Sequence, residues 1–217
     1  MRAKNLAVFA IFAPVLLAGC TYEQKGPPTQ HLSDWGAEAP SKHAVSVCHA
    51  YGCQKTTRVI FSAKDVAEIR KLMRKVKKGN TPHEERRSIA YAIGWMENTV
   101  GKRIGTSADR PGMDFRASGD PTQQDCVDEA TNTTSYLLFL HKRGLIKQHT
   151  VEIPIAKGRI WRGVKNWPHW TAVLKEEGTG QKYAVDSWIF KNGENPAVVK
   201  LEEWYIKDLD DLPDSTT

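Results

Sequence analysis

Residues 121–144 read PTQQDCVDEATNTTSYLLFLHKRG, and the reading of this stretch decides the fold. Polar residues open it, Cys126 stands where a helix should begin, and Gly144 closes it. Val127, Ala130, Thr134, Leu137, Leu138 and His141 recur at spacings of three and four, the period of one helical face. Gly144 suits the position just past a helix C-terminus, and Lys142 and Arg143 suit the last turn. A cysteine in the first turn sits where the helix dipole is positive and backbone N–H groups lack partners. Both effects favour thiolate over thiol, so Cys126 is either an activated nucleophile or a small core residue.

Upstream the chain reads as helices. Val59-Ile60-Phe61 is a short apolar run, a strand or the approach to the next helix. Ser62 and Asp65 fit a capping box, followed by the apolar stripe Val66, Ile69, Leu72, Met73 and Val76. Arg70, Lys71, Arg74, Lys75, Lys77 and Lys78 fall largely on the other face, as a solvated surface or a contact for anionic lipid or polysaccharide. Gly79-Asn80 stops this helix, and Thr81-Pro82-His83-Glu84 starts the next with an N-cap and a proline at the first position. Its buried face is Ile89, Ile93, Met96 and Val100, with Trp95 alongside and Gly101 marking the end. Residues 102–120 read as an ordered, glycine- and proline-punctuated loop leading to the central helix.

Downstream the period changes. Thr150–Ile155, Arg159–Arg162, Trp170–Leu174 and Tyr183–Phe190 are short runs rich in β-branched and aromatic residues, separated by turn-like segments. Helices first and an antiparallel sheet second define an α+β domain with the central helix packed on the sheet. The acidic tail KDLDDLPDSTT is expected to fray.

The N-terminus carries a different signal. Arg2 and Lys4 precede an apolar run from Leu6 to Ala18, too short to span a membrane as a mature helix and of the form of a secretory signal. Leu17-Ala18-Gly19-Cys20 resembles the bacterial lipoprotein box, which implies lipidation of Cys20 after removal of residues 1–19. Thr21 in place of aspartate points, by the same resemblance, to the outer membrane. Residues 20–44 are rich in Pro, Ser, Gln, Gly and Lys and read as a flexible tether, leaving 45–213 as the domain. Losing Arg2 and Lys4 takes the formal charge from +6 to about +4, with the basic residues spread out, so nucleic acid is not an expected partner.

Cysteine usage narrows the chemistry. Cys48 and Cys53 lie close together in CHAYGC, a short disulfide loop in an oxidising compartment. A metal site with His43 and His49 competes with that reading, although the paired spacing of a structural zinc site is missing. Cys126 is then the odd cysteine, reactive or deeply buried. His169, in NWPHWTAVL, opens one predicted strand, and Asp186, in QKYAVDSW, ends the next. A tight connection near Glu177–Gly180 places Asp186 opposite residues near His169 and Trp170. A carboxylate holding one imidazole nitrogen would orient the other toward a thiol. Trp161, Trp167, Trp170 and Trp188 flank these segments, as walls of a cleft or as core packing.

The order Cys126, His169, Asp186 and the pattern QDCVDEA…HW…VDSW resemble the transglutaminase-like superfamily, a branch of the papain-like fold. The nearest subgroup is similar to the bacterial transglutaminase-like cysteine proteinases, with Asp125-Cys126-Val127-Asp128 at the helix start. The resemblance covers about residues 85–190 and implies Cys126 as nucleophile, His169 as general base and acid, and Asp186 as the orienting acid. The glycine usual before Asp-Cys is replaced by Gln124. The backbone N–H of Cys126 is the expected oxyanion donor, with Gln123 and Gln124 closer to the cysteine than the glutamine of papain-like enzymes. The subgroup also implies a calcium option at Asp125, Asp128 and Glu129, residues that equally complement a helix dipole.

The expectation is thus a lipid-anchored periplasmic cysteine hydrolase, a peptidase acting on protein or peptide through a thioester, with no cofactor beyond optional calcium. The rivals are a transglutaminase or cell-wall peptide amidase sharing the nucleophile, and a non-catalytic envelope lipoprotein that keeps the fold.

Overall fold

A computed structural model describes residues 25–158, 168–208 and 211–213. The signal segment, Cys20, Trp161, Trp167 and the Arg159–Arg162 run lie outside the described residues. The first element is a helix inside the stretch read as a tether. Helix α1, Pro28–Asp34, has proline at its start and buries His31 and Leu32 completely. A helix this short is stable only through tertiary docking, which the polar composition of residues 20–44 hid.

A two-stranded antiparallel sheet follows, β1 (Ala44–His49) with β2 (Lys55–Ile60), in the register Ala44↔Ile60 to His49↔Lys55. The turn between them carries the Cys48–Cys53 disulfide expected from the spacing. Helix α2, Ala63–Val76, starts on the predicted capping box: Ser62 Oγ accepts from the Asp65 N–H, and Asp65 Oδ2 accepts from the Ser62 N–H at 2.8 Å. Helix α3, Pro82–Ile104, is capped by Thr81 Oγ1, which accepts from the Glu84 N–H at 3.2 Å.

Helix α3 does not end at Gly101. It runs to Ile104 and stops at Gly105, whose φ of 92° is left-handed. Gly101 is there for a close approach instead. A Cβ on it would lie 2.6 Å from Asn192 Nδ2 and 3.1 Å from the Ser107 backbone nitrogen. Gly94, two turns earlier, is crowded in the same way by Asn195 and the Gly193 and Glu194 carbonyls. The loop after the third strand of the main sheet therefore lies directly on α3, where any side chain would push it off.

The central helix α4, Cys126–Lys142, is followed by Gly144 at φ 66°, as its sequence predicts. The predicted apolar face is too narrow. Phe139 and Leu140 are fully buried, His141 is exposed and Leu138 half-buried. Every residue from Cys126 to Leu137 is buried, so α4 is covered on all sides rather than along a stripe.

The main sheet is an antiparallel meander in the order β3 (His149–Lys157), β4 (His169–Glu176), β5 (Lys182–Asp186), β6 (Ala197–Lys200). Strand β6 and the closing helix α5, Leu201–Ile206, were not expected. The larger core joins Ile89, Ile93 and Met96 of α3, Tyr136, Leu137 and Leu140 of α4, and Ala172, Leu174 and Val185 of the sheet. Val173, Ala184 and Val199 point the other way, onto Leu201 and Trp204 of α5. Both sheet faces are thus covered where the start of β4 meets the end of β5, which removes water from the His169–Asp186 region. The architecture is mixed α+β with the cysteine-bearing helix against the sheet.

A polar network ties α3 to the far end of this sheet. His149 Nδ1 meets Glu85 Oε2 at 2.9 Å, Arg86 bridges His149 and Glu176, and its guanidinium stacks over Tyr183. The Lys147 and Gln148 N–H groups complete the Glu85 carboxylate. Each charge is paired, so this second histidine–carboxylate pair reads as a structural joint.

Candidate active site

The site is assembled from the start of α4, the start of β4 and the end of β5. Asp125 is the N-cap of α4 and makes a capping box with Asp128, so Cys126 is the first helical residue. The β4–β5 register, Ala172↔Val185, carries Asp186 to the position opposite Thr171, one same-face step from His169. There His169 Nε2 lies 2.6 Å from Asp186 Oδ2. The aromatic ring of Trp188 covers the imidazole, with centroids 4.7 Å apart and planes tilted by 33°.

Cys126 joins this pair through the backbone around His169. Its Sγ donates to the Pro168 carbonyl at 3.7 Å, and the Trp170 N–H donates to the sulfur. Cys126 and His169 also share Trp188 as a neighbour. Among the described residues His169 Nδ1 is buried without a hydrogen-bond partner, and so is Asp186 Oδ1. The three predicted residues therefore meet in one buried region, with one imidazole nitrogen held and the other uncommitted.

The resting thiol departs from the sequence expectation. Cys126 is 2% exposed. Burial, and then the Asp125 charge, push its thiol up to about 12, opposed by the Trp170 N–H. The helix dipole was expected to favour thiolate, but the N-cap Asp125 and the first-turn Asp128 place carboxylates beside the sulfur. The loss of water, then the charge of Asp125 with smaller contributions from Asp186 and Asp128, outweighs the dipole. At rest the sulfur is a protonated thiol.

The two carboxylates are held from an unexpected direction. Tyr51 and Cys53 donate their N–H groups to Asp128 at 2.8 and 2.7 Å, and Gly52 donates to Asp125 at 3.0 Å. These donors come from the disulfide turn, where Ala50, Tyr51, Gly52 and Cys53 have φ of 72°, 69°, 59° and 54°. Successive left-handed residues aim their N–H groups to one side and make an anion-binding nest. The disulfide loop is thus a clamp on the start of the cysteine helix.

That arrangement bears on calcium. All four oxygens of Asp125 and Asp128 accept backbone N–H bonds, from Gly52, Val127 and Asp128 on one carboxylate and Tyr51, Cys53 and Asp125 on the other. A ring of N–H donors suits carboxylates and repels a cation, so a calcium ion does not fit without breaking these bonds. Glu129 is turned elsewhere, where its Oε2 accepts from Ser187 Oγ at 3.1 Å. Cys48, Cys53 and Asp128 also offer atoms within 4.8 Å of one another, but the two sulfurs are spent in the disulfide. His49 serves neither metal reading, since its ring bonds Pro121 O and Thr57 Oγ1.

The remaining candidates divide. The Gln124 carboxamide donates to the Cys48 carbonyl at 3.1 Å, and Gln123 Nε2 donates to Ala108 O. Both glutamines therefore brace loops around the helix start. The backbone N–H of Cys126, as the first of the helix, has no intrahelical acceptor. Trp170 stands edge-on to Trp35 at 6.4 Å and near the buried His31 at 5.3 Å. Trp35 and Met113 pack on the Cys126–Val127–Trp188 cluster, although they come from the expected tether and loop. Trp204, from α5, donates its indole N–H to Asp186 Oδ2 at 2.7 Å. No motif in LEEWYI signals that role.

Beneath the site lies a set of buried acids. Burial pushes Glu97 up to about 8 and Asp109 up to about 7. Burial, then the charges of Glu97 and Asp109, hold Glu129 well above its ordinary value. Ser187, next to Asp186, bonds Glu129 and Thr133 and so pins the end of β5 to α4.

No protein-family profile matches the chain, and neither a curated protein nor a solved structure is similar to it.

Proposed function

We propose that the chain is a cysteine hydrolase, a peptidase, with Cys126 as nucleophile, His169 as general base and acid and Asp186 as the orienting carboxylate. The reading extends to a transglutaminase-like variant of the papain-like fold, tethered through a lipid on Cys20 to the bacterial envelope and facing the periplasm. One observation carries it: a buried imidazole held on one nitrogen by a carboxylate at 2.6 Å, its other nitrogen unpartnered, beside a thiol at a helix N-terminus.

The chemistry follows from that geometry. Asp186 fixes the ring so that Nδ1 takes the thiol proton. The sulfur then attacks an amide carbonyl, and the N–H of Cys126 faces the developing oxyanion. The imidazolium returns its proton to the leaving amine, and a thioester remains on Cys126. Water or a second amine resolves the thioester, giving hydrolysis or transamidation. Because the thiol is protonated at rest, proton transfer belongs to the attack step rather than to a standing ion pair.

Burial of Cys126 favours a second reading, an envelope protein without catalysis in which the thiol is a core residue. An alkylating activity-based thiol probe separates the two. The hydrolase reading predicts a stable adduct on Cys126 in the folded protein, no adduct in Cys126→Ala, and at least about tenfold slower labelling in His169→Ala. Absence of an adduct in the folded wild type supports the second reading.

A further inference from the structure

Trp204 sits on α5, sixteen residues or more beyond every residue of the QDCVDEA, HW and VDSW motifs that suggested the site. We propose that Trp204 is a positioning residue that selects the imidazole tautomer of His169, an inference that rests on the triad reading above. Two groups meet on one oxygen: His169 Nε2 at 2.6 Å and Trp204 Nε1 at 2.7 Å, both on Asp186 Oδ2.

An indole nitrogen is only ever a donor, whereas an imidazole nitrogen can donate or accept. Trp204 therefore requires Oδ2 to act as an acceptor. A carboxylic acid protonated on Oδ2 and donating to His169 would leave the indole against a hydroxyl oxygen, a poorer acceptor than a carboxylate. The indole thus favours Oδ2 as an acceptor from both rings. His169 then carries its proton on Nε2, and Nδ1, the atom left without a partner, keeps the lone pair that receives the thiol proton. In the step this serves, the S–H bond of Cys126 breaks, the Nδ1–H bond forms, and the sulfur keeps the electron pair.

Helix α5 is anchored to hold the indole in place. Lys157 Nζ donates to the Trp204 and Lys207 carbonyls and lies 4.5 Å over the Trp204 ring. The ring itself is completely buried and packs 5.7 Å from the imidazole. Asp186 is thereby fixed from two sides, by β5 through its backbone and by α5 through its oxygen.

The test is nitrogen-resolved NMR of the uniformly labelled protein, with iodoacetamide alkylation of Cys126 measured in parallel. In the unsubstituted protein the indole proton of Trp204 and the Nε2 proton of His169 should show a mutual Overhauser effect, with His169 in the Nε2–H tautomer. Trp204→Phe keeps a buried ring and removes the donor. It should shift His169 to a tautomer mixture and slow alkylation about tenfold, with the fold retained. An unchanged tautomer and rate in a folded Trp204→Phe protein overturn the proposal. So does the missing Overhauser effect, which needs no variant and decides the matter should Trp204→Phe not fold. If His169→Ala alkylates as fast as wild type, the triad reading fails, while the tautomer assignment still reports on Trp204.

Discussion

At the residue scale the balance at Cys126 is between a helix dipole that favours thiolate and burial, with the charge of the N-cap Asp125, that opposes it. A dipole contribution is worth about 0.3–1 kcal/mol near a surface, and a single pH unit of thiol shift corresponds to about 1.4 kcal/mol. Burial pushes the Cys126 thiol up to about 12, so it wins by a wide margin. Alkylation of the wild type should therefore rise steadily with pH through 9, without the low-pH plateau of a thiolate–imidazolium pair. A plateau below pH 6 in the alkylation profile would refute the protonated resting thiol. Asp186→Asn should slow Cys126 modification by at least about tenfold, because a carboxamide can turn its NH₂ toward His169 and select the wrong tautomer.

At the scale of elements, the decisive object is the clamp between the disulfide turn and the start of α4. Ala50, Tyr51 and Cys53 hold left-handed conformations, each costing about 1–2 kcal/mol in an L-residue. The turn keeps them only because the disulfide closes it and the Asp125 and Asp128 carboxylates accept its N–H groups. Reducing the disulfide with a dithiol, or replacing both cysteines in Cys48→Ser/Cys53→Ser, should cost about 2 kcal/mol or more. Calorimetry should show a fall in melting temperature of several degrees, and hydrogen exchange should speed up at residues 51–53 and 125–128. Exchange that stays slow there after reduction would show that the turn is not held by its disulfide. Gly101→Ala should destabilise by about 1–3 kcal/mol, since its Cβ meets Ser107 backbone as well as a movable side chain. A chelator should leave the melting temperature unchanged, because the N–H nest already fills the carboxylates.

At the scale of the whole molecule, charge buried under the site sets the response to pH. Glu97 and Asp109 have folded-state values raised to about 8 and about 7 by burial. The folded chain thus holds protons that the unfolded chain releases near pH 4. Stability is fully present below that pH and is lost as pH rises through 7 and 8. The melting temperature should be higher at pH 5 than at pH 8.5, and Glu97→Gln should flatten that slope. A melting temperature that climbs from pH 5 to 8.5 would contradict it. The same scale shows what the sequence could and could not reveal. Helix capping at Ser62 and Thr81 was legible because it depends on neighbours three residues apart. The His169–Asp186 encounter was legible because strand register follows from a short turn. Helix α1 was not, since His31 and Leu32 are buried by distant partners amid a polar stretch. Gly101 looked like a stop because a loop ninety residues away needs its missing side chain. Trp204 was silent because an indole donor has no periodic signature.

The central claim, that His169 serves the sulfur of Cys126, is tested most directly by the rate of iodoacetamide alkylation at pH 8 in folded wild type and folded His169→Ala, followed by intact mass. The account predicts modification confined to Cys126 and at least about tenfold slower without the imidazole. Equal rates in the two proteins would contradict it.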